Sequence, residues 1–135
     1  MSNADLSATY RDYIACLNRQ DWSELGRFVG PDVRHNGRAF GLAGYRAMLE
    51  RDFATIPDLA FAIRLLVTEP PHVAAVLGFR CSPKGSFLGL PVDGRTVTFT
   101  ENVFYTFRDG VIVDVLSIID KGAIEDQLRD APGPA

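Results

Sequence analysis

The stretch that decides the fold is TVTFTENVFYTF, residues 96–107, in which apolar and polar residues alternate. A period of two is typical of a β-strand with one face toward the core and one face outward. The inner face carries a single polar residue, Glu101, in its middle. The other residues of that face are Val97, Phe99, Val103, Tyr105 and Phe107. A carboxylate in this position needs a structural or functional explanation, because it is costly to ionise in apolar surroundings.

Working outward, three further segments change to the same period and predict strands: residues 59–69, 72–81 and 111–120. Arg108-Asp109-Gly110 predicts a compact hairpin turn, since Asp-Gly supports the positive φ that such turns require. Residues 81–94 are rich in Gly and Pro and predict a long loop or flap.

The N-terminal half has helical spacing instead. Residues 5–20 and 41–57 place apolar side chains on one helical face, in the second case Tyr45, Met48, Leu49 and Phe53. Asp21 followed by Glu24 is a capping-box pattern and predicts a short helix over residues 21–29.

The remaining segments are short. Residues 31–37 are polar and end on a turn signal, so they predict a turn. Asp120 can cap a final helix over residues 121–128, and we expect residues 129–135 to be a frayed tail.

Three helices followed by four strands predict one α+β domain over residues 1–135, a cone with helices across one face of a curved antiparallel sheet. The mouth of such a cone is a natural small-molecule pocket. The composition, 47% hydrophobic and 23% charged, is that of a globular protein.

Charge and composition also exclude classes of partner. The net charge is −3 without a basic patch, which argues against nucleic acid, and the absence of a long apolar run or signal pattern argues against a membrane. Cys16 and Cys81 predict reduced thiols in a cytoplasmic protein, although one disulfide between them stays open. We expect no metal, because neither cysteine has a second Cys or His at ligand spacing.

Five pieces in this order resemble a known family: YIACLNRQDW (13–22), GPDV (30–33), GLAGYR (41–46), GSFLGLPVDGR (85–95) and FRDGVIV (107–113). The chain is similar to the SnoaL-like polyketide cyclases of the NTF2-like superfamily over nearly all of residues 6–128. The resemblance implies an NTF2-like cone, aldol ring closure on a polyketide ester, no metal or organic cofactor, and homodimers.

The resemblance also implies positions for functional residues. Counted from the shared Asp109-Gly110 turn, the family's catalytic aspartate falls at Ser117, its assisting histidine at Val103, and its pocket asparagine at or beside His35-Asn36. The related ketosteroid isomerases imply a tyrosine at Tyr13, a proton-shuttling aspartate at or near Asn36 and a second acid near Val103. The Asp-Arg-Asp set of limonene epoxide hydrolases has no counterpart that we can assemble in this sequence.

Three residues are candidates for catalysis. Burial would raise the pKa of Glu101, and a carboxyl tuned toward neutral pH suits proton abstraction next to a carbonyl; the alternative is an ion pair with Arg80 or a solvent-facing register. His35 could change protonation near neutral pH, or be a surface residue of a polar loop. Tyr13 could donate a hydrogen bond to a substrate oxygen, or it could be a core residue.

We expect the binding wall to include Asn36, Ser117, Val103, Tyr105 and Trp22, although Trp22 and Tyr45 also fit the core.

The opposite face of these strands is too apolar to be fully exposed and predicts a homodimer interface. Its residues are Thr96, Thr98, Thr100, Asn102, Phe104, Thr106, Leu116 and Ile118.

Three hypotheses of function follow. The first is a cofactor-free cyclase or isomerase that transfers a proton alpha to a carbonyl of a small hydrophobic molecule, with Glu101 as acid and base. The second is a non-catalytic binding protein, because Val103 and Ser117 lack the chemistry of the matching family residues. The third is a hydrolase that activates water between Glu101 and His35.

Overall fold

The computed structural model describes residues 1–129. The predicted frayed tail begins at residue 129, but Arg129 is the last residue of the final helix. Residues 130–135 lie outside the described part of the chain, so the rest of that prediction is untested. The helices are α1 (Asn3–Arg19), a 3-10 helix (Trp22–Arg27), α2 (Gly41–Thr55) and α3 (Lys121–Arg129). The strands are β1 (Val29–His35), β2 (Arg38–Ala39), β3 (Ala62–Glu69), β4 (His72–Cys81), β5 (Ser86–Phe87), β6 (Leu90–Pro91), β7 (Val97–Arg108) and β8 (Val111–Ile119).

The main sheet has six strands in the order β2-β1-β8-β7-β4-β3. The predicted α+β class is confirmed, but the sheet is mixed rather than antiparallel, because β1 pairs parallel to β8. The sequence indicated a turn over 31–37 because β1 is irregular: its pairing shifts between Val29 and Arg34, and its buried positions do not alternate. A bulge of this kind removes the period of two by which a strand is recognised.

The second predicted helix is a 3-10 helix that begins at Trp22 and ends before Phe28. Its predicted capping box is wrong, because the Asp21 carboxylate makes no cap hydrogen bond and instead accepts from Ser23 Oγ at 3.0 Å. By contrast, Asp120 caps α3 as predicted, accepting from the Ala123 backbone N–H at 3.1 Å.

The alternation along β7 is confirmed. Val97, Phe99, Val103, Tyr105 and Phe107 are all buried, and they pack with α1 and the inner faces of β4 and β8 in one core. The predicted turn between β7 and β8 has positive φ at both Asp109 and Gly110, which fits a two-residue hairpin of the type that matches strand twist.

The outer face of the same strands carries exposed apolar side chains. Phe104 pairs with Leu116 on one side and Ala74 on the other, and Ala74 pairs with Val67, so one apolar row crosses four strands. Phe104 is 57% exposed and Ile118, in the next row, is 75% exposed. Scattered apolar residues are normal on a surface, but a contiguous row of this length is not.

Within the predicted loop 81–94, β5 and β6 form a small hairpin. Its Phe87 ring contacts Phe99 with 5.7 Å between the ring centroids, which holds the hairpin against the mouth of the sheet. None of the helices within residues 1–129 is long and apolar enough to cross a membrane.

Candidate active site

A cavity of about 420 Å³ lies between the inner face of the sheet and the helices α1 and α2. Seven of the eight predicted site residues line it: Tyr13, His35, Asn36, Glu101, Val103, Tyr105 and Ser117. These residues lie on α1, β1, β7 and β8 and, for Asn36, directly after β1, and side chains of α2, α3, β4 and β5 complete the wall.

Glu101 faces this cavity as a largely buried carboxyl, and its Oε2 accepts a hydrogen bond from Ser117 Oγ on β8. Burial raises the pKa of Glu101, the hydrogen bond from Ser117 partly offsets that rise, and the negative charge of Asp52 adds to it. The alternative ion pair with Arg80 is not formed, because Arg80 is exposed on the other face of the sheet. A carboxyl with a raised pKa is a stronger base than an exposed one, which suits it to accept a proton from a substrate.

The contact with Ser117 connects the two strands that the family resemblance singled out. Val103 and Ser117 are direct partners across β7 and β8, and Glu101 is the next inward-facing residue of β7. The carboxyl of Glu101 therefore reaches the residue at which the resemblance implies an aspartate.

Three tyrosines, Tyr13, Tyr45 and Tyr105, line the cavity, and Tyr10 lies behind them in the core. The hydroxyls of Tyr13 and Tyr45 are 2.7 Å apart, and Tyr10 donates to the Tyr105 hydroxyl at 3.2 Å. Burial raises the pKa of all four phenols, so they stay neutral and keep their protons for hydrogen bonding. Tyr13 and Tyr45 together can offer one O–H to a ligand oxygen.

His35 is half-buried in the cavity wall. Its ring stacks on Phe40, with 5.5 Å between the ring centroids and 16° between the planes, and lies edge-on to Tyr45. Burial and the charge of Arg38 both lower the pKa of His35, so the neutral imidazole dominates at pH 7. The side chain can then donate through one ring nitrogen and accept through the other.

Asn36 has a structural task at the rim of the cavity. Its Oδ1 accepts from the Ser117 backbone N–H at 2.8 Å, and its Nδ2 donates to the Ser117 carbonyl at 3.2 Å. This pair of hydrogen bonds extends the contact between β1 and β8 beyond His35. It also fixes the backbone of Ser117, whose hydroxyl donates to Glu101.

The placement of Trp22 in the binding wall is not supported by its contacts. The Trp22 ring lies edge-on to Phe53, with 5.8 Å between the ring centroids, and Trp22 is outside the cavity wall. The 3-10 helix directs this ring toward the far end of α2, so Trp22 packs against the core as the alternative interpretation had it.

Comparison with known proteins assigns the chain to a family. The sequence profile of the SnoaL-like polyketide cyclases matches residues 7–128. The chain belongs to the SnoaL-like polyketide cyclase family. No curated protein matches the sequence significantly.

The family assignment agrees with solved structures. A SnoaL-like polyketide cyclase from Agrobacterium tumefaciens strain C58 is 51% identical, with a TM-score of 0.91 over 95% of this chain and 99% of that chain. TsrD from Streptomyces laurentii is 25% identical, with a TM-score of 0.82 over 95% of this chain and 97% of that chain. IdmH from Streptomyces antibioticus shares the fold at 23% identity, with a TM-score of 0.79 over 92% of this chain and 98% of that chain.

This SnoaL-like chain has two charged cavity residues that the sequence did not single out, Asp52 on α2 and Lys121 on α3. A signal for Asp52 was present. It lies four residues after Met48 and three after Leu49, and is therefore on the apolar face of its helix, as Glu101 is on the apolar face of its strand. Lys121 is the first residue of α3, two residues after the end of β8 at Ile119, and the sequence pattern contains no comparable signal for it. Among residues 1–129 no cluster of three His, Cys, Asp or Glu side chains could hold a metal ion.

Proposed function

We propose that this protein is a cofactor-free enzyme that transfers a proton alpha to a carbonyl in a small hydrophobic molecule, as a cyclase or isomerase. The observation that supports this most is the Glu101 carboxyl, which faces the cavity from the otherwise apolar inner face of β7 and accepts a hydrogen bond from Ser117. Membership of the SnoaL-like family supports the same class of chemistry.

In the proposed reaction, Glu101 takes a proton from the carbon next to the carbonyl. The electron pair of that C–H bond moves into the new C=C bond, and negative charge develops on the carbonyl oxygen. The hydroxyl pair of Tyr13 and Tyr45 and the neutral imidazole of His35 line the same cavity and could donate to this oxygen. Glu101 then returns the proton to another carbon in an isomerase. In a cyclase the enolate carbon instead forms a bond to a second carbonyl carbon, the π pair of that carbonyl moves to its oxygen, and the resulting alkoxide takes the proton from Glu101.

The test is enzyme-catalysed hydrogen–deuterium exchange at the α carbon of 2-tetralone, a bicyclic ketone, followed by proton NMR in D₂O. We expect the wild type to exceed the buffer rate and Glu101→Gln to lose about 100-fold or more, the range expected for a general base. Glu50→Gln is the matched control, because Glu50 is exposed on the outside of α2, where it pairs with Arg46 and lines no part of the cavity. Exchange by Glu101→Gln at the wild-type rate, or by the wild type at the buffer rate, would refute the proposal.

A second candidate is a binding protein on the same scaffold, favoured by Val103 and Ser117 at the family's catalytic positions. It predicts that 2-tetralone shifts the NMR signals of cavity residues without any exchange at its α carbon. The two candidates therefore differ in one measurement on one sample.

We further propose that two copies associate through the outer sheet face. The support is the apolar row that crosses β3, β4, β8 and β7, with Phe104, Leu116 and Ile118 each more than half exposed. A second copy presents the same face, so the row is self-complementary about a two-fold axis. Light scattering after size exclusion should give twice the mass of one chain, and a monomer at micromolar concentration would contradict this.

We also propose that the protein works in the cytoplasm, because Cys16 and Cys81 are both buried free thiols. Free thiols persist in reducing compartments. Fractionation of cells that express the tagged chain tests this, and recovery outside the cytoplasm would contradict it.

A further inference from the structure

A second carboxyl group faces Glu101 from the helical side of the cavity. Asp52, at the start of the last turn of α2, is half-buried and lines the same cavity. Asp52 and Glu101 also both line a smaller apolar cavity of about 60 Å³, whose walls include Phe61, Phe79 and Phe99. The two carboxyls therefore lie at the junction between a larger semi-polar space and a small aromatic one.

The two groups differ in what stabilises their charged forms. Glu101 accepts a hydrogen bond from Ser117, which favours its anion. Within residues 1–129, no protein group donates a hydrogen bond to the Asp52 side chain, and Arg51 beside it forms no ion pair with it. When one proton is shared between them, it therefore belongs on Asp52 and the negative charge belongs on Glu101.

We propose that Asp52 is the catalytic acid of this site and delivers a proton to the carbonyl oxygen while Glu101 removes the proton from the α carbon. This inference rests on the proposed function and adds to it a residue that is absent from the family positions considered above. A paired acid and base in one cavity would give a neutral enol instead of a free enolate. The tyrosine hydroxyls would then have less negative charge to stabilise on the carbonyl oxygen.

The step balances as follows. The C–H bond at the α carbon breaks and its proton forms an O–H bond on Glu101. The electron pair forms the C=C bond, the carbonyl π pair takes the proton of Asp52, and the Asp52 O–H bond breaks. The products are an enol, a neutral Glu101 and an anionic Asp52. In an isomerisation both protons return in the second half, Glu101 to carbon and the enol O–H to Asp52, so no other reactant is needed.

The pKa of Asp52 agrees with this assignment. Burial raises it to about 6, and the nearby Arg51 opposes that rise. The other titratable groups that face this cavity are His35 on β1, Glu101 on β7, Lys121 on α3, and the phenols of Tyr13, Tyr45 and Tyr105. The phenols stay protonated. The pKa of His35 is lowered from 6.5, so this imidazole also titrates on the acidic side of neutrality, and variants of Asp52 separate the contribution of the carboxyl from that of His35.

The experiment measures the pH profile of 2-tetralone exchange for the wild type and three variants. We expect the wild-type rate to fall as the pH rises through about 6, because Asp52 loses its proton. Asp52→Leu, which cannot donate, should lower the rate by about tenfold or more, in line with general-acid effects. Asp52→Asn can donate a hydrogen bond to the carbonyl oxygen but cannot transfer a proton to it. This variant should therefore keep part of the rate and lose the pH dependence near 6. Asp12→Asn on the exposed side of α1 is the control and should match the wild type.

The outcomes separate the two proposals. If Glu101→Gln is inactive while Asp52→Leu and Asp52→Asn keep the wild-type rate and profile, the role of Asp52 is wrong and the proposed function stands. If the wild type does not catalyse exchange, the function fails, and the proton assignment is decided by ¹³C NMR titration of the carboxyl groups. A higher apparent pKa for Asp52 than for Glu101 supports the assignment, and the reverse order overturns it.

Discussion

The two faces of β7 each carry one residue that breaks the pattern of its neighbours. On the inner face the exception is polar, Glu101 among buried apolar side chains. On the outer face the exception is apolar, Phe104 among threonines and Asn102, 57% exposed. Fold stability explains neither residue, because burying a carboxyl and exposing an aromatic ring are both unfavourable. Exceptions to the two-residue pattern therefore point to function on both sides of one strand.

The largest expected effect concerns the outer exception. Phe104→Asp places a charge in the centre of the proposed dimer face, where it would be desolvated without a partner, and we expect complete dissociation to monomers. Light scattering after size exclusion measures the mass. Ala54→Asp adds the same charge on the exposed side of α2 and should leave the mass unchanged. An unchanged mass for Phe104→Asp would place the interface elsewhere.

Truncating one phenylalanine on each face tests the difference in packing. Phe99 is buried and stacks on Phe79 at 5.1 Å between centroids, so Phe99→Ala should lower the free energy of unfolding by about 3–5 kcal/mol. Phe104→Ala should cost less than about 1 kcal/mol when the protein is dilute enough to be monomeric. Urea unfolding monitored by circular dichroism gives both values, and equal losses would contradict the inner and outer assignment.

The pH dependence of stability tests the burial of the cavity carboxyls. The folded-state pKa of Asp52, about 6, exceeds its ordinary value of 3.8. Between these values the folded protein binds more protons than the unfolded chain, so stability falls as the pH rises. Ionisation of Asp52 is expected to lower the free energy of unfolding by roughly 1–3 kcal/mol across this range. Asp52→Asn should therefore flatten the slope of unfolding free energy against pH from about pH 4 to about pH 6. An unchanged slope would mean that Asp52 is solvated like a surface residue.

The smallest expected effect is that of Ser117→Ala. Without the hydrogen bond from Ser117, the anion of Glu101 is less favoured and its pKa should rise. A hydrogen bond of this type is worth about 1 kcal/mol, so we expect the acidic limb of the exchange profile to move up by less than about one pH unit. A downward shift would show that Ser117 instead favours the neutral acid.

Alternation and turn chemistry were sufficient for most of the fold. The apolar face of β7 and the positive φ at Asp109 and Gly110 are local properties, and they were predicted correctly. β1 was missed because its bulge removes the alternation, and its parallel partner β8 is remote in sequence. The short second helix was predicted, but its capping box was wrong, because a capping pattern does not guarantee a capping hydrogen bond.

The site was only partly predictable, for a related reason. Glu101 was visible because strand alternation has a period of two and one polar residue stands out. Asp52 was not predictable in the same way, because the apolar face of a helix is wider than that of a strand and tolerates polar residues at its edges. That Ser117 donates to Glu101 depends on the register between β7 and β8, which no single strand encodes.

The parallel pairing of β1 with β8 also sets the order in which the site can form during synthesis. Asn36 and Ser117 are 81 residues apart in sequence, yet their hydrogen bonds hold one rim of the cavity. A nascent chain that ends before β8 lacks the strand against which His35 and Asn36 are held. The cavity between the sheet and the helices α1 and α2 is therefore incomplete until β8 has been synthesised. Contacts this distant in sequence form late in folding. Pulsed hydrogen exchange should therefore protect the amides of β4 and β7 before those of β1.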